Sequence, residues 1–153
     1  MFSSNDQNFK RDVKILFYIG VISYVTDICV NYTKQGYFEC GENKLDKLKF
    51  HLLLVIHHII WSFASFGFIS NNNQLLRIYV LISIIYLSHW KLNNDNCFIT
   101  QWIAKICGFS SSYRLQHLID ILSNNKMFNS RNSQRQYLIL FTIIAIIKIN
   151  NKN

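Results

Sequence analysis

Residues 50–70 read FHLLLVIHHIIWSFASFGFIS, a run with no formal charge. A helix rises about 1.5 Å per residue and a bilayer's hydrocarbon core is about 30 Å thick. About 20 apolar residues, in a range of about 17–25, therefore cross it. The run has that length and is apolar on every side, which separates a buried or lipid-facing helix from an amphipathic soluble one.

Working outward, Val13–Val30 is apolar except for Lys14 and Asp27, and 74–92 carries only Arg77 and Lys91 near its two ends. Both predict spans, with Arg77 reaching back to the interface along its own stem. A shorter run, Gln136–Ile149, predicts a fourth. The expected fold is thus an all-α integral membrane bundle of three to four transmembrane helices, formed as one domain from residues 1–153. The alternative, a soluble all-α bundle, leaves too little polar surface to cover three such helices in 153 residues. The first run is too long for a signal-peptide core of about 7–15 residues, and no small-residue cleavage site follows it, so it reads as a retained anchor.

Composition agrees. Half the residues are apolar, 16% are charged against about 25% in soluble domains, and mean hydropathy is +0.13. Proline is absent, alanine occurs only at Ala64, Ala104 and Ala145, and Ile, Asn, Lys, Phe and Tyr are abundant, a bias expected of an AT-rich genome. The net charge of +8 forms no contiguous basic stripe. Nucleic acid is therefore not an expected partner, whereas a lipid bilayer and other membrane subunits are.

Between spans two and three, SNNNQ is a tight polar turn that makes those helices an antiparallel pair. The segment 91–135 holds two short helical patterns expected to lie along the membrane surface. One is Cys97–Cys107, with Asp95 or Asn96 as its cap and Gly108 as its stop; the other is Tyr113–Leu122. Four spans put both termini on one side. The long segments carry ten of the sixteen Lys/Arg, so the positive-inside rule places them in the cytoplasm or matrix.

That topology gathers Asp27, Cys29, Cys40, His51, His57, His58, His89, Cys97 and Cys107 at the long-segment end. Little chemistry is left for the other. Three readings of the cluster follow. Haem b is one, held by His57 or His58 with His89, since haem iron takes axial imidazoles inside helical bundles. Proton handling by Asp27 with His57 or His58 is another. Zinc on His89, Cys97, Cys107 and Cys40 is the third, although no Cys-x2-Cys pair is present. Against all three stands packing: histidines satisfied by neighbouring helices, cysteines as free small hydrophobes, and Asp27 as a polar helix end. A disulfide requires an oxidising face, which the charge bias argues against. Ser62, Ala64, Ser65 and Gly67 read as a close-packing face against another helix or subunit. No nucleophile elbow, phosphate loop or His-Glu-x-x-His pair occurs, so an enzyme is not expected.

The stretch SHWKLNNDNCFITQWIAKICG, with the His57–His58 pair, resembles a segment of small multispanning membrane proteins encoded by large DNA viruses of protists. The matching positions are His89, Trp90, Lys91, Asn93, Asn94, Cys97, Thr100 and Cys107–Gly108, and the likeness covers about residues 50–122. Gln101 stands where the family pattern has an acidic residue. The family carries no assigned activity. The resemblance implies a helix-exit device in which Trp90 anchors at the interface, the asparagines turn the chain, and Thr100 or Asp95 ties down the surface helix. The expected role is a non-catalytic structural or accessory subunit of a larger membrane assembly. It would sit in a viral or endomembrane, or in an organellar inner membrane of respiratory type.

Overall fold

A computed structural model describes residues 4–32, 37, 40–41, 43–94, 96–109 and 131–151. Its elements are α1 (Ser4–Asn31), α2 (Lys44–Phe66), a 3-10 turn (Gly67–Ile69), α3 (Asn73–Leu92), α4 (Phe98–Cys107) and α5 (Arg131–Asn150), with no strand among the described residues. The all-α expectation holds. Three helical stretches, Asp6–Asn31, Lys44–Ile69 and Asn73–Leu92, are long and apolar enough to cross a membrane. The surface helix expected over Tyr113–Leu122 lies outside the described residues.

Helix ends extend beyond the apolar runs because capping, not hydropathy, fixes them. Asn43 caps α2 by accepting from the Asp46 N–H at 3.0 Å, and its Nδ2 donates to the Asp46 carboxylate at 2.9 Å. Asn72 caps α3 through Leu75 N–H at 3.0 Å. The first turns of α1 carry a Lys10–Asp6 pair on solvent-facing surface. Gly108 stops α4 at φ 66°, and the Phe109 N–H closes back on the Ala104 carbonyl at 2.9 Å.

α1 packs mainly on α2, α5 on α3, and α4 across the N-terminal half of α2. The close-packing face is internal to the chain. Ser62 donates to the Leu16 carbonyl of α1 at 2.6 Å, Tyr79 of α3 donates to the Ala64 carbonyl at 3.1 Å, and a Cβ on Gly67 would meet the Tyr79 ring at 2.5 Å. The fourth predicted span is a helix, but α5 begins in polar residues 131–136 and is not among the helices apolar enough to cross. It lies along α3, stacks Phe141 on Phe68 at 4.1 Å, and ends with Lys148 donating to the carbonyls of Phe68, Ile69 and Ser70 at 3.1, 3.0 and 2.8 Å.

Polar side chains are buried alongside the apolar core, while many apolar ones face outward. Ser23, Asp27, Asn31, His57, His58, Ser62, Ser83 and Thr142 are buried, while Ile22, Val25, Leu81, Ile84, Ile85, Ile143 and Ile147 face outward. Apolar side chains turned outward are stable in lipid and costly in water. The chain is therefore a multi-pass, membrane-embedded protein.

Candidate polar site between the first two helices

Gly20, Ser23, Asp27 and Asn31 recur every three or four residues, so helical periodicity puts them on one stripe of α1. Leu54, His58 and Ser62 form the matching stripe on α2. The small Gly20 lets the backbones meet: a Cβ there would lie 2.8 Å from the Ile59 Cα. Close approach brings the polar residues of both helices within hydrogen-bond range.

The result is a buried relay. Ser23 Oγ lies 2.9 Å from His58 Nδ1, and His58 Nε2 lies 3.1 Å from Asp27 Oδ2. Asp27 also accepts from Asn31 Nδ2 at 2.6 Å and from the Tyr37 hydroxyl at 3.2 Å. Ser23, Asp27 and His58 have no accessible surface, and Asn31 and Tyr37 are nearly as buried. A carboxylate away from water is tolerable only with several donors, and here three converge on it.

Beside it, His57 Nδ1 faces Cys97 Sγ at 3.7 Å, and the Tyr86 hydroxyl donates to the same sulfur at 3.7 Å. The rings of His57 and His58 meet edge to face at 5.9 Å. His51 Nδ1 lies 3.0 Å from the Tyr24 hydroxyl. His89 Nε2 accepts the Phe98 N–H at 3.2 Å, so the start of α4 is held by a histidine from α3. The expected tie from Thr100 is not made: its side chain forms no hydrogen bond among the described residues. Asp95 lies outside them, and Cys97, which occupies the capping position, supplies no side-chain cap. Trp90 packs on Tyr86 at 4.8 Å. The asparagine turn is as expected, with Asn94 at φ 50° and Asn93 Nδ2 donating to the Asn96 carbonyl at 2.8 Å.

Two expectations are corrected. Cys40 and Cys107 form a disulfide, with their Cα atoms 4.4 Å apart across 67 residues of sequence, whereas Cys29 and Cys97 are free. The bond ties the segment after α1 to the end of α4, and Tyr37, Cys40, Phe50, Leu54 and Ile103 make one apolar cluster around it. The second correction concerns the opposite end, which is not empty of polar chemistry. Asp12 there accepts from Ser70 Oγ at 2.7 Å and from Arg11 Nη2 at 3.1 Å.

The predicted residues thus meet in different groups. Asp27 and His58 are joined directly, His57 and Cys97 are joined beside them, and His89, Trp90 and Thr100 belong to the exit of α3. Both ring nitrogens of His58 already face Asp27 and Ser23, which leaves that ring no nitrogen for a haem iron shared with His89. No group of three or more His, Cys, Asp or Glu suited to a metal ion occurs among the described residues. The Ser23–His58–Asp27 order has the components of an acyl-transfer triad, yet Ser23 is sealed between two helices where no acyl group reaches it. Sequence reasoning missed Ser23, Asn31 and Tyr37; the four-residue spacing Ser23–Asp27–Asn31 was the available signal. No protein-family model, curated protein or solved structure matches the chain.

Proposed function

We propose that the chain is a non-catalytic structural or accessory subunit of a larger membrane assembly, with the Asp27–His58–Ser23 relay serving as the brace that locks α1 onto α2. The observation that carries this reading is that the relay's side chains are fully buried and satisfy one another. A group that exchanges protons or substrates needs an open side. In contrast, most of each span's circumference stays apolar and open to lipid or to neighbouring helices.

The disulfide supports an orientation and a setting. Disulfides persist in oxidising compartments, which include the endomembrane lumen and virion or cell surfaces. The long-segment face is then lumenal or external, opposite to the charge-bias expectation. Loop charge is a statistical preference, whereas a disulfide is a chemical requirement. This favours the viral or endomembrane setting over a face turned toward a mitochondrial matrix, in line with the viral resemblance.

Proton handling is the second reading, favoured by one observation: an ionisable pair buried within a span. One pair of measurements separates the two. Solubilised native membranes run on a native gel are expected to show the 18.1 kDa chain in a larger complex. Vesicles containing the purified protein are expected to pass protons no faster than empty ones. A monomer on the gel, with proton flux that Asp27→Asn abolishes, would replace the accessory role with the transport one.

A further inference from the structure

At the end opposite the relay, a cavity of about 260 Å³ opens between α1 and the α2–α3 turn, lined by Arg11, Asp12, Ile15, Leu16, Ile19, Phe66, Ile69, Ser70 and Asn71. The lining is graded. Arg11 and Asp12 on α1 face Ser70 and Asn71 on the turn, and the deeper positions Ile15, Leu16, Ile19 and Phe66 are apolar. From Arg11 to Ile19 is eight residues, about 12 Å along the helix. The volume falls below the range of about 300–1,000 Å³ that encloses a whole small molecule. One hydrocarbon chain, with its polar head left at the rim, suits that shape.

The charge at the rim selects the head. Asp12 is already satisfied, with Oδ1 accepting from Arg11 Nε and Nη2 at 3.2 and 3.1 Å and Oδ2 from Ser70 at 2.7 Å. Arg11 uses one edge of its guanidinium on Asp12, which leaves Nη1 for another acceptor, and its side chain is 63% exposed. Lys14 is exposed one turn further along α1. Lys148 adds a positive charge against the carbonyls of Ile69 and Ser70, both lining residues. Two cations at the rim, Arg11 and Lys148, against the one Asp12 carboxylate leave it net positive by one charge. Guanidinium and ammonium groups around a mouth over an apolar slot match a phosphate ester joined to a hydrocarbon chain.

We infer that this cavity is a binding site for one anionic phospholipid, its phosphate on Arg11 and one acyl chain along Ile15, Ile19 and Phe66. The inference stands independently of the accessory role. It agrees with the orientation drawn from the disulfide, which turns this end toward the cytoplasmic leaflet, where anionic lipids concentrate.

The test is native mass spectrometry of the full chain in detergent, titrated with phosphatidylglycerol and with phosphatidylcholine of the same acyl chains. One phosphatidylglycerol is expected to remain bound, at least about tenfold tighter than phosphatidylcholine, because both offer a phosphate to Arg11 but the choline cation is repelled by the positive rim. Arg11→Gln, at an exposed position, is expected to remove that preference. Ile15→Trp, which fills the slot, is expected to weaken both lipids. Lys105→Gln, exposed at the other end of the bundle, is expected to leave both unchanged. Equal affinity for the two lipids overturns the proposal, as does an equal loss in Arg11→Gln and Lys105→Gln. Displacement of phosphatidylglycerol by millimolar inorganic phosphate also overturns it, since that marks a bare anion site with no role for the chain.

Discussion

If Asp27 and His58 brace α1 against α2, their substitutions must be strongly non-additive. Asp27→Ala strips an acceptor from His58 Nε2, Asn31 Nδ2 and the Tyr37 hydroxyl, at 3.1, 2.6 and 3.2 Å. A buried donor left without a partner costs about 1–3 kcal/mol in water-soluble proteins. Within a membrane, where the unfolded reference also finds partners, side-chain hydrogen bonds average about 0.6 kcal/mol and reach about 1.7. Three lost contacts at the membrane scale give a destabilisation of about 2–5 kcal/mol. His58→Ala leaves Asp27 with Asn31 and Tyr37, but it buries a carboxylate short of one donor and opens a cavity, so about 2–4 kcal/mol is expected. In the double variant the orphaned carboxylate and the orphaned imidazole are both gone, and its destabilisation should fall short of the sum of the single effects by about 1–3 kcal/mol. Asp27→Asn should be mild, about 1 kcal/mol, because its amide can donate to Nε2 if His58 carries its proton on Nδ1 toward Ser23. Equilibrium unfolding in mixed detergent micelles, followed by circular dichroism, reads all four values. Additivity within about 0.5 kcal/mol would falsify the brace, whatever the size of the single effects.

Three further outcomes are expected. Replacing Cys40 or Cys107 with serine should lower stability by up to about 4 kcal/mol, from the chain-entropy cost of a 67-residue separation; mass spectrometry after alkylation, with and without prior reduction, should show two additional labelled thiols only in the reduced wild type. Gly20→Leu should separate α1 from α2, since even a Cβ lies 2.8 Å from the Ile59 Cα; a loss of about 1–3 kcal/mol in the same unfolding assay is expected, with Gly20→Ala milder. Lys148→Met should uncover three carbonyls at the α2–α3 turn, and hydrogen exchange at the end of α5 should rise while that of α1 stays unchanged.

The spans were legible because hydropathy reports membrane depth directly: a run such as Phe50–Ser70 has few other uses. The gathering of histidines and cysteines at one end followed from topology alone. Partner choice did not. Ser23 and Asn31 are ordinary residues in a chain rich in asparagine and serine, and their meaning appears only when Gly20 lets α2 approach. Hydropathy also placed the start of α1 too late, because the polar turns before Val13 lie outside any apolar window while remaining helical. The Cys40–Cys107 bond was hidden for a different reason. Sequence spacing says nothing of two segments meeting in space, and the loop charge argued against an oxidising face. The exit motif reads as a turn in both sequence and structure, but the tie from His89 to the Phe98 N–H was not legible, since a histidine from the preceding helix had no reason to be preferred over a local threonine or aspartate.

The interface of α1 and α2 is divided by depth, and that division supports the proposed brace over a conduit. At the disulfide end sit Asp27, His58 and Ser23. At the other end the cavity reaches inward as far as Ile19 and Phe66. Between them lies Gly20, where the backbones touch so closely that no Cβ fits, and a non-bonded water, which needs clearance on every side, fits no better. A proton arriving at His58 therefore has no wet path toward the cavity along this seam, and a lipid chain in the cavity stops before reaching the relay. Directly above the relay, Tyr37 closes the other side, held in the same apolar cluster as Cys40 by the link to Cys107. A residue set meant for transport would keep one of these two ends open. Among the described residues one is closed by a backbone contact and the other by Tyr37 in the disulfide-linked cluster, which is the arrangement the proposed brace calls for.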